Sequence, residues 1–393
     1  MSKILVAGAG TAGLVAAMAL AQAGFETCLI GPPDLRPMAR TVALLDGSVQ
    51  LLKSLGLWSA IEPCAAELAT MRLVDDTGSL FAAPPVDFHA AEIGLEAFGY
   101  NIENHRLVEI LADKARQTPG LMLAETRIAT IVFGSQEVTV SCDDGAEFRG
   151  QLLVGADGRA SLARANAHIA TRSWTYPQAA LTAILAHDRP HHAVSSEFHT
   201  RAGPCTLVPL PALADEPHRS SLVWMMRPAE AVQRQAMDDA GFARAVERAC
   251  HSTLGVMRIN GPRGKFPMAG MVAQRCSAPR LALVGEAAHV LPPIGAQGLN
   301  LGLRDVADLV VCLTGFPRDD PGAGAPLARY DKLRRADIAT RAFGVDALNR
   351  SLLSDMLAVD FLRGAGLVAL AGIGPLRRAV MRAGIKPGAG GFL

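Results

Sequence analysis

The chain has 393 residues, half of them apolar, with 38 Lys and Arg against 37 Asp and Glu and a net charge of +1. That length supports more than one core, and charges that nearly cancel exclude the electrostatic footprint of a nucleic-acid binder. The 7 cysteines have no CxxC spacing and the 10 histidines no HExxH pattern, so the chain reads as reduced, mostly buried thiols without a metal site.

KILVAGAG reads as a buried strand running into a tight turn, TAGLVAAMALAQAG as the helix after it, and ETCLIG as a second strand. This is a βαβ start. Because the glycine motif begins at Gly8, the opening residues belong to a core strand rather than a leader. Gly8, Gly10 and Gly13, with Thr11 and Ala12 between them, fit a pyrophosphate at a helix N-terminus, where backbone donors are free and the dipole favours an anion. A dinucleotide fold usually places an acid at the end of its second strand to bind the ribose; Gly31 stands there. Asp34 reaching back, or backbone alone, would have to replace that acid. Arg36 leaves a phosphate-bearing nicotinamide cofactor open from this motif alone.

RTVALLDGSVQLLKSLGLW has helical spacing at Leu51, Leu52, Leu55 and Leu57. A loop-rich stretch with Pro84 and Pro85 follows, and NIENHRLVEILADKAR reads as an amphipathic helix. IATIVF and EVTVSCDDGAEFRG read as β-runs with a turn at DDG, leading into the buried strand QLLVGAD. Asp157 there sits in a tight turn between Gly155 and Gly158, which on its own is as well explained as an ordinary Asp-Gly turn.

After Arg164 the runs ALTAILAH, AVSSEFHT, GPCTLVPLP and RSSLVWMMRP suggest an antiparallel sheet, interrupted by a helix from Asp239 to Cys250. LALVG at Leu281 returns to the parallel type. Glu286 ends that strand, where a carboxylate can accept hydrogen bonds from ribitol or ribose hydroxyls. Pro292 and Pro293 stiffen the next loop, and Gly295 and Gly298 let backbone approach a flat ring. GLNLGLRDVADLV then starts a helix whose positive end suits a ring that gains negative charge. From Pro326 the chain is mostly helical and rich in Ala, Leu and Arg. The apolar stretch GAGLVALAGIGPL near the C-terminus is shorter than the ~20 residues of a membrane span.

The expected architecture is α/β: a discontinuous Rossmann-like cofactor domain (1–75, 98–170 and 266–325), an inserted antiparallel-sheet substrate domain (76–97 and 171–265), and a C-terminal helical region (326–393).

GAGTAG, GADGR and GEAAHVLPPIGAQGLN, in this order and spacing, resemble the three motifs of the group A FAD-dependent aromatic hydroxylases, which have the para-hydroxybenzoate hydroxylase-like fold. Within them the chain is most similar to the ubiquinone-biosynthesis hydroxylases. RTVALLDGSVQLLKSLGLW, SWTYPQAAL, EFHTRAGPCTLVPLP, SLVWMMRP, YDKLRRAD and VDALNR carry that similarity. The resemblance spans essentially the whole chain. It implies FAD as cofactor, NADH or NADPH as co-substrate, and a prenylated phenol hydroxylated through a flavin C4a-hydroperoxide. The hard chemistry is then the cofactor's, and no catalytic side chain is required.

By that resemblance Arg40 and Asn104 lie near the FAD phosphates or ribityl chain, Asp157 and Glu286 serve FAD, and Pro293, Gly295, Gln297, Gly298, Leu299 and Asn300 line the isoalloxazine. Glu286 replaces the family's usual Asp, and Ala296 stands where many of the ubiquinone members carry Gly. His289 reads as a hydrogen-bonded core residue. Tyr176, Pro209, Trp224 and Met225 are candidates to line the substrate, although apolar residues on sheet faces are more often plain core. The expected location is cytoplasmic, with a peripheral association with the inner membrane or an enzyme complex through the arginine-flanked C-terminal stretch. The competing readings are a hydroxylase of a small soluble phenol and a flavoprotein assembly subunit without catalysis.

Overall fold

The computed structural model describes residues 4–78, 84–200, 202–317, 319–352, 366, 369–370 and 372–385. Buried Ile4–Ala7 (β1) leads through the glycine turn into α1 (Thr11–Gln22), whose small apolar residues bury almost every position. β2 (Thr27–Ile30) returns parallel to β1. Then come β3 (Thr41–Leu45), α2 (Asp46–Ser54), the one-turn α3 (Trp58–Ile61), β4 (Ala66–Glu67), β5 (Thr70–Asp75), β6 (Val86–His89), β7 (Gly99–Glu103), α4 (Asn104–Arg116) and β8 (Leu121–Ala124).

Two stretches read for their helical spacing therefore begin as strand: Thr41–Leu45 precedes α2, and Gly99–Glu103 takes in Asn101, Ile102 and Glu103 of the segment expected as helix before α4. They pair with each other, Thr41 opposite Glu103. Strand pairing overrides the local helical spacing here.

β9 (Ile128–Phe133), β10 (Val138–Cys142) and β11 (Glu147–Gly150) form a small antiparallel sheet, with the expected DDG turn between the last two. β12 (Leu152–Gly155) and the short α5 (Leu162–Asn166) follow. The antiparallel runs are β13 (Thr171–His187), β14 (Val194–Thr200), β15 (Gly203–Leu210) and β16 (Arg219–Met226); α6 (Pro228–Gln235), α7 (Asp239–Ala249) and the long β17 (Met257–Ala273) come after them. The chain continues through β18 (Ser277–Ala278), β19 (Leu281–Leu283), a turn of 3-10 helix at Gly285–Ala287, β20 (His289–Val290), α8 (Gln297–Thr314), α9 (Gly324–Leu352) and α10 (Gly374–Ile385).

The first large sheet has the order β18-β19-β12-β1-β2-β8. Its central strands β19, β12, β1 and β2 are parallel, so their C-terminal ends meet at one edge. The second has the order β20-β17-β13-β16-β15-β14-β5-β6. The expected boundary at residues 75/76 puts β5 with the cofactor domain, whereas its hydrogen bonds put it between β14 and β6. β17 likewise runs unbroken through residue 266.

Alternation sorts the second sheet into two faces. Cys205, Leu207, Leu222 and Trp224 pack on Phe242 and Val246 of α7, forming the helix face. Ala180 and Met225, with half-buried Val223, pack on Ile294 from the loop before α8 and on Val345 of α9. We call this second side the cleft face; it meets the loop that leads from the parallel-sheet edge into α8. Each fully buried Leu on the helix face contributes roughly 1.5–3 kcal/mol.

Candidate active site

Three turns leave the parallel strands side by side, after β1, β12 and β19. They touch through backbone. A Cβ on Gly13 would lie 1.8 Å from the Gly8 carbonyl oxygen, and one on Gly8 would lie 2.6 Å from that of Ala156. The first turn is thus packed on the second. A Cβ on Gly285 would come within 3.1 Å of Ala12 Cβ, so the third turn reaches α1 as well. The missing acid after β2 has a physical reason. Gly31 has φ +139°, and a Cβ there would press on Gly8 and Ala9 at 3.3 Å. Asp34 is no substitute in this structure: it is exposed and ion-paired to Arg36 at 2.6 Å, which holds its carboxyl down at about 2.

The edge presents atoms that lack protein partners. α1 has no side-chain N-cap, the space beside Gly10 is open, and Thr11 Oγ1 is buried without a hydrogen bond. Such a helix start is an anion site. Asp157 Oδ2 accepts from the Ala163 N–H at 3.0 Å, while its buried Oδ1 has no partner. Glu286 is exposed between buried Gly285 and Ala287.

Arg164 closes the second turn onto the third, donating from Nη1 to the Ala287 carbonyl at 2.8 Å and from Nη2 to that of Arg159 at 2.8 Å. Burial lowers its guanidinium pKa, against the opposing charge of Asp157. It lies six residues beyond Gly158 of the GADGR motif and was not singled out from sequence; its nearness to that motif is the one signal for it.

The third turn is also held from behind. Asp305 is wholly buried. Its Oδ2 accepts from the Gly285 N–H at 2.8 Å and bonds His289 Nε2 at 2.7 Å, and its Oδ1 accepts from Arg334 Nε at 2.6 Å. Burial pushes the Asp305 carboxyl up, but His289, Arg334 and these hydrogen bonds outweigh it and leave it below its ordinary value. His289 is the hydrogen-bonded core residue that its pattern suggested.

Between the third turn and α8, Pro293 and Gly295 are exposed, nothing crowds Gly298, and Leu299 is half-buried. Gln297 is engaged, donating to the Gly295 carbonyl and accepting from Arg341. Asn300 is engaged more fully: Nδ2 donates to the Ala43 and Ala296 carbonyls, and Oδ1 accepts from the Leu45 N–H and the Ser48 hydroxyl. Its side chain ties the loop to β3 and α2. Arg40 and Asn104 come together, the Asn104 N–H donating to the Arg40 carbonyl at 2.9 Å, and the Arg40 guanidinium lies 5.1 Å over the Phe266 ring.

The four substrate candidates divide. Met225 lies on the cleft face against Ile294. Tyr176 is there too, but its hydroxyl accepts from Trp174 Nε1 and donates to Asp346, both at 2.7 Å; burial and Asp346 push its pKa up to about 12. Trp224 lies on the opposite face, edge-on to Phe242 and beneath Arg234. Pro209 pairs with Ser220 and shares the parity of Cys205 and Leu207, so its ring belongs to the helix face as well. The cleft face instead offers Val223, Thr206 and Thr182, joined in one row by strand register. None of these was picked out from sequence, because runs buried on both faces hide their parity.

An uncapped glycine turn, two carboxylates and an open glycine loop on one sheet edge fit FAD, and Ile294 of that loop packs on the antiparallel sheet. Fold and site together define an FAD-dependent monooxygenase. The family model described as FAD binding domain matches residues 1–343, and the chain belongs to that family. It is 34% identical over 394 residues to the ubiquinone hydroxylase UbiL of Rhodospirillum rubrum, covering 97% of this chain and 89% of that one. It is 31% identical over 398 residues to the 3-demethoxyubiquinol 3-hydroxylase of Escherichia coli, covering 97% of both. Among solved structures, p-nitrophenol 4-monooxygenase PnpA of Pseudomonas putida superposes with a TM-score of 0.79 at 18% identity, over 98% of this chain and 97% of that one. That last similarity speaks for the fold.

Proposed function

We propose that the protein hydroxylates the aromatic ring of a prenylated phenol in ubiquinone biosynthesis, using FAD with NADH or NADPH and O2. The observation that carries this reading is the convergence of the three turns on one sheet edge, opposite the apolar cleft face around Met225 and Ile294. Similarity to two ubiquinone-pathway hydroxylases over nearly the whole chain supports the substrate class.

When bound, FAD supplies the electron transfer and oxygen activation. The chain's part is to bind, orient and exclude water. Gly8, Gly10, Thr11, Ala12 and Gly13 would hold the pyrophosphate, with Arg40 and Asn104 alongside. Asp157 and Glu286 would take sugar and ribityl hydroxyls, while Gly31 leaves the ribose to backbone. Pro293, Gly295, Gly298 and Leu299 would face the ring, and Gln297 and Asn300 would brace that loop. The uncapped α8 N-terminus points its dipole at the same place. The purified protein should carry the flavin absorption bands and consume NADH or NADPH faster when a short-chain prenylphenol is added. A colourless protein, or one indifferent to any phenol, would overturn the reading. A deletion strain should accumulate the unhydroxylated prenylphenol.

We also infer a cytoplasmic enzyme peripheral to the inner membrane. No helix among the described residues is long and apolar enough to cross a membrane. α10 seats Met381 against Val86, Phe88 and Phe98 and pairs Arg377 with Glu92. Ile373, Leu376 and Val380 stay exposed, and so does Arg382. An apolar ridge with a nearby cation suits an anionic lipid surface. Flotation with anionic vesicles should carry the protein upward, and Leu376→Glu should reduce that.

A further inference from the structure

We propose that Glu197 and His199 form the acceptor for the proton of the substrate's phenolic hydroxyl. Glu197 is then a catalytic residue and His199 a positioning residue. This rests on the reading of a phenol substrate.

The two residues occupy alternate positions on β14, so they share a face. Register identifies that face. Glu197 stands opposite Thr206 on β15, Thr206 opposite Val223 on β16, and Val223 opposite Thr182 on β13. Val223 packs with Met225 and Ile294, so this row is the floor of the cleft below the flavin loop. Strands lie ~4.8 Å apart, which places Glu197 roughly 10 Å across the floor from Val223. A phenol seated over Thr206 would therefore have one edge toward Ile294 and its hydroxyl toward Glu197.

Glu197 Oε1 and His199 Nε2 are 2.5 Å apart. His199 is buried and Glu197 remains partly exposed, so the imidazole fixes one carboxylate oxygen and leaves the other for substrate. Every other residue of the floor row is neutral. Glu197 is the carboxylate of that row and is able to take a proton; Asp75, opposite His199 on the same face, accepts from the Thr77 hydroxyl at 2.7 Å.

The step balances as a general-base reaction. The ring's electron pair forms the new C–O bond as the O–O bond of the activated oxygen breaks, the phenolic O–H bond breaks with its electron pair passing into the ring, and the proton goes to the free oxygen of Glu197. The resulting dienone then loses its ring C–H proton to oxygen and regains the phenol. In the proposed reaction the reduced nicotinamide supplies two electrons by way of FAD, one atom of O2 enters the ring, and the other leaves as water.

The test compares wild type, Glu197→Gln, His199→Gln and His199→Ala, each loaded with FAD, with a one-isoprene prenylphenol and with an unprenylated phenol. Glu197→Gln should lower the kcat of hydroxylation by roughly 100-fold, the scale of general-base catalysis. His199→Ala should fall between, and His199→Gln, which keeps a donor for the carboxylate, should recover much of that loss. Binding gives a readout independent of turnover. Wild type should prefer the phenol to its methyl ether by about tenfold, because the ether cannot donate to the carboxylate. Glu197→Gln should lose most of that preference.

Equal kcat and equal phenol-to-ether preference in wild type and Glu197→Gln would overturn the assignment of the pair alone. Wild-type turnover of the unprenylated phenol only would overturn the prenyl reading, while the pair is still decided on that phenol. Turnover of neither phenol would overturn both.

Discussion

The parallel-sheet edge and the cleft face of the large sheet are built on opposite principles. At the edge, backbone meets backbone, and what matters is the absence of side chains: Gly13 has room for nothing beyond its hydrogen atoms against Gly8. Neighbouring parallel strands force the three turns together whatever else the chain does. On the cleft face, the side chains are the site, and a shift of one residue would exchange it for the helix face. Continuous pairing with β16 fixes the parity of β13 there, Leu181 opposite Trp224 and Thr182 opposite Val223. The edge is therefore intolerant of added atoms and indifferent to most side-chain chemistry, whereas the cleft is sensitive to which residue stands at each odd or even position.

The sharpest challenge to that contrast is Arg334, because it shows side chains supporting the edge from behind. Arg334 is buried with Asp305, Asp308 and Asp337 around it, and Asp305 in turn holds the Gly285 N–H. Arg334→Met takes the guanidinium away from wholly buried Asp305, which keeps only His289 and the Gly285 N–H, and from Asp308, and should cost about 3–5 kcal/mol, read as a lower urea midpoint. The third turn should loosen with it, so FAD affinity should fall too. In the wild type, the depressed Asp305 carboxyl contributes stability that is present above the ordinary carboxylate range and lost as pH falls below it, through the lower value of the folded state. If Arg334→Met bound FAD as wild type does, the edge would need no support beyond its backbone.

Adjacent residues on β16 test the parity half of the comparison. Trp224→Ala removes a buried ring from between Phe242 and Arg234 and should cost about 3–5 kcal/mol, with little change in the KM for phenol in whatever fraction stays folded. Met225→Ala should cost about 2–5 kcal/mol or less, and should raise the KM for phenol because the cleft floor loses its contact with Ile294. The reverse pattern would put the substrate on the helix side.

This division also explains what the chain reveals before folding. Gly8 and Gly13 announce themselves because a close backbone approach admits few residue types and leaves a spaced motif; Asp157 stands out only through its order with the other motifs. The two-sheet architecture is readable for the same reason: turns and buried runs alternate in recognisable order. Trp224 and Pro209 look like site residues from sequence because they are large or special, yet face assignment depends on strand pairing that no local pattern encodes. Arg164 and Arg334 were invisible for another reason. Their partners, Ala287 and Asp305, are remote in sequence, and one is a carbonyl oxygen. The strands at Thr41–Leu45 and Gly99–Glu103 likewise exist because they pair with each other.

Gly13→Ala probes the edge with one methyl group. The clash is with backbone, which cannot rotate aside, so either α1 or the Gly8 turn must move. We expect a cost of about 1–3 kcal/mol and protein that emerges from gel filtration without flavin. Gly10→Ala is the matched control, since a Cβ at Gly10 meets no protein atom within 4 Å. It should fold as wild type does and lose flavin only if a ligand fills that space. Equal flavin retention in both variants would remove the pyrophosphate from this turn.

The smallest expected effect lies where the edge and the side-chain-built loop meet. Ala296 is the N-cap of α8 in the left-handed region, at φ +54° and ψ +31°, and its carbonyl is held by Asn300 Nδ2. A non-glycine residue there carries a penalty of roughly 1–2 kcal/mol. Ala296→Gly removes that penalty but gives the unfolded chain more freedom, worth about 0.4–1 kcal/mol in the other direction. The net should be a stabilisation of a few tenths to about 1 kcal/mol, seen as a rise in Tm of roughly 1–3 °C. Flavin affinity should hold or improve, because the loop reaches the same shape with less strain. A lower Tm for the glycine variant would mean that the Asn300 clamp depends on the stiffness of Ala296, and side chains would then govern this part of the edge after all.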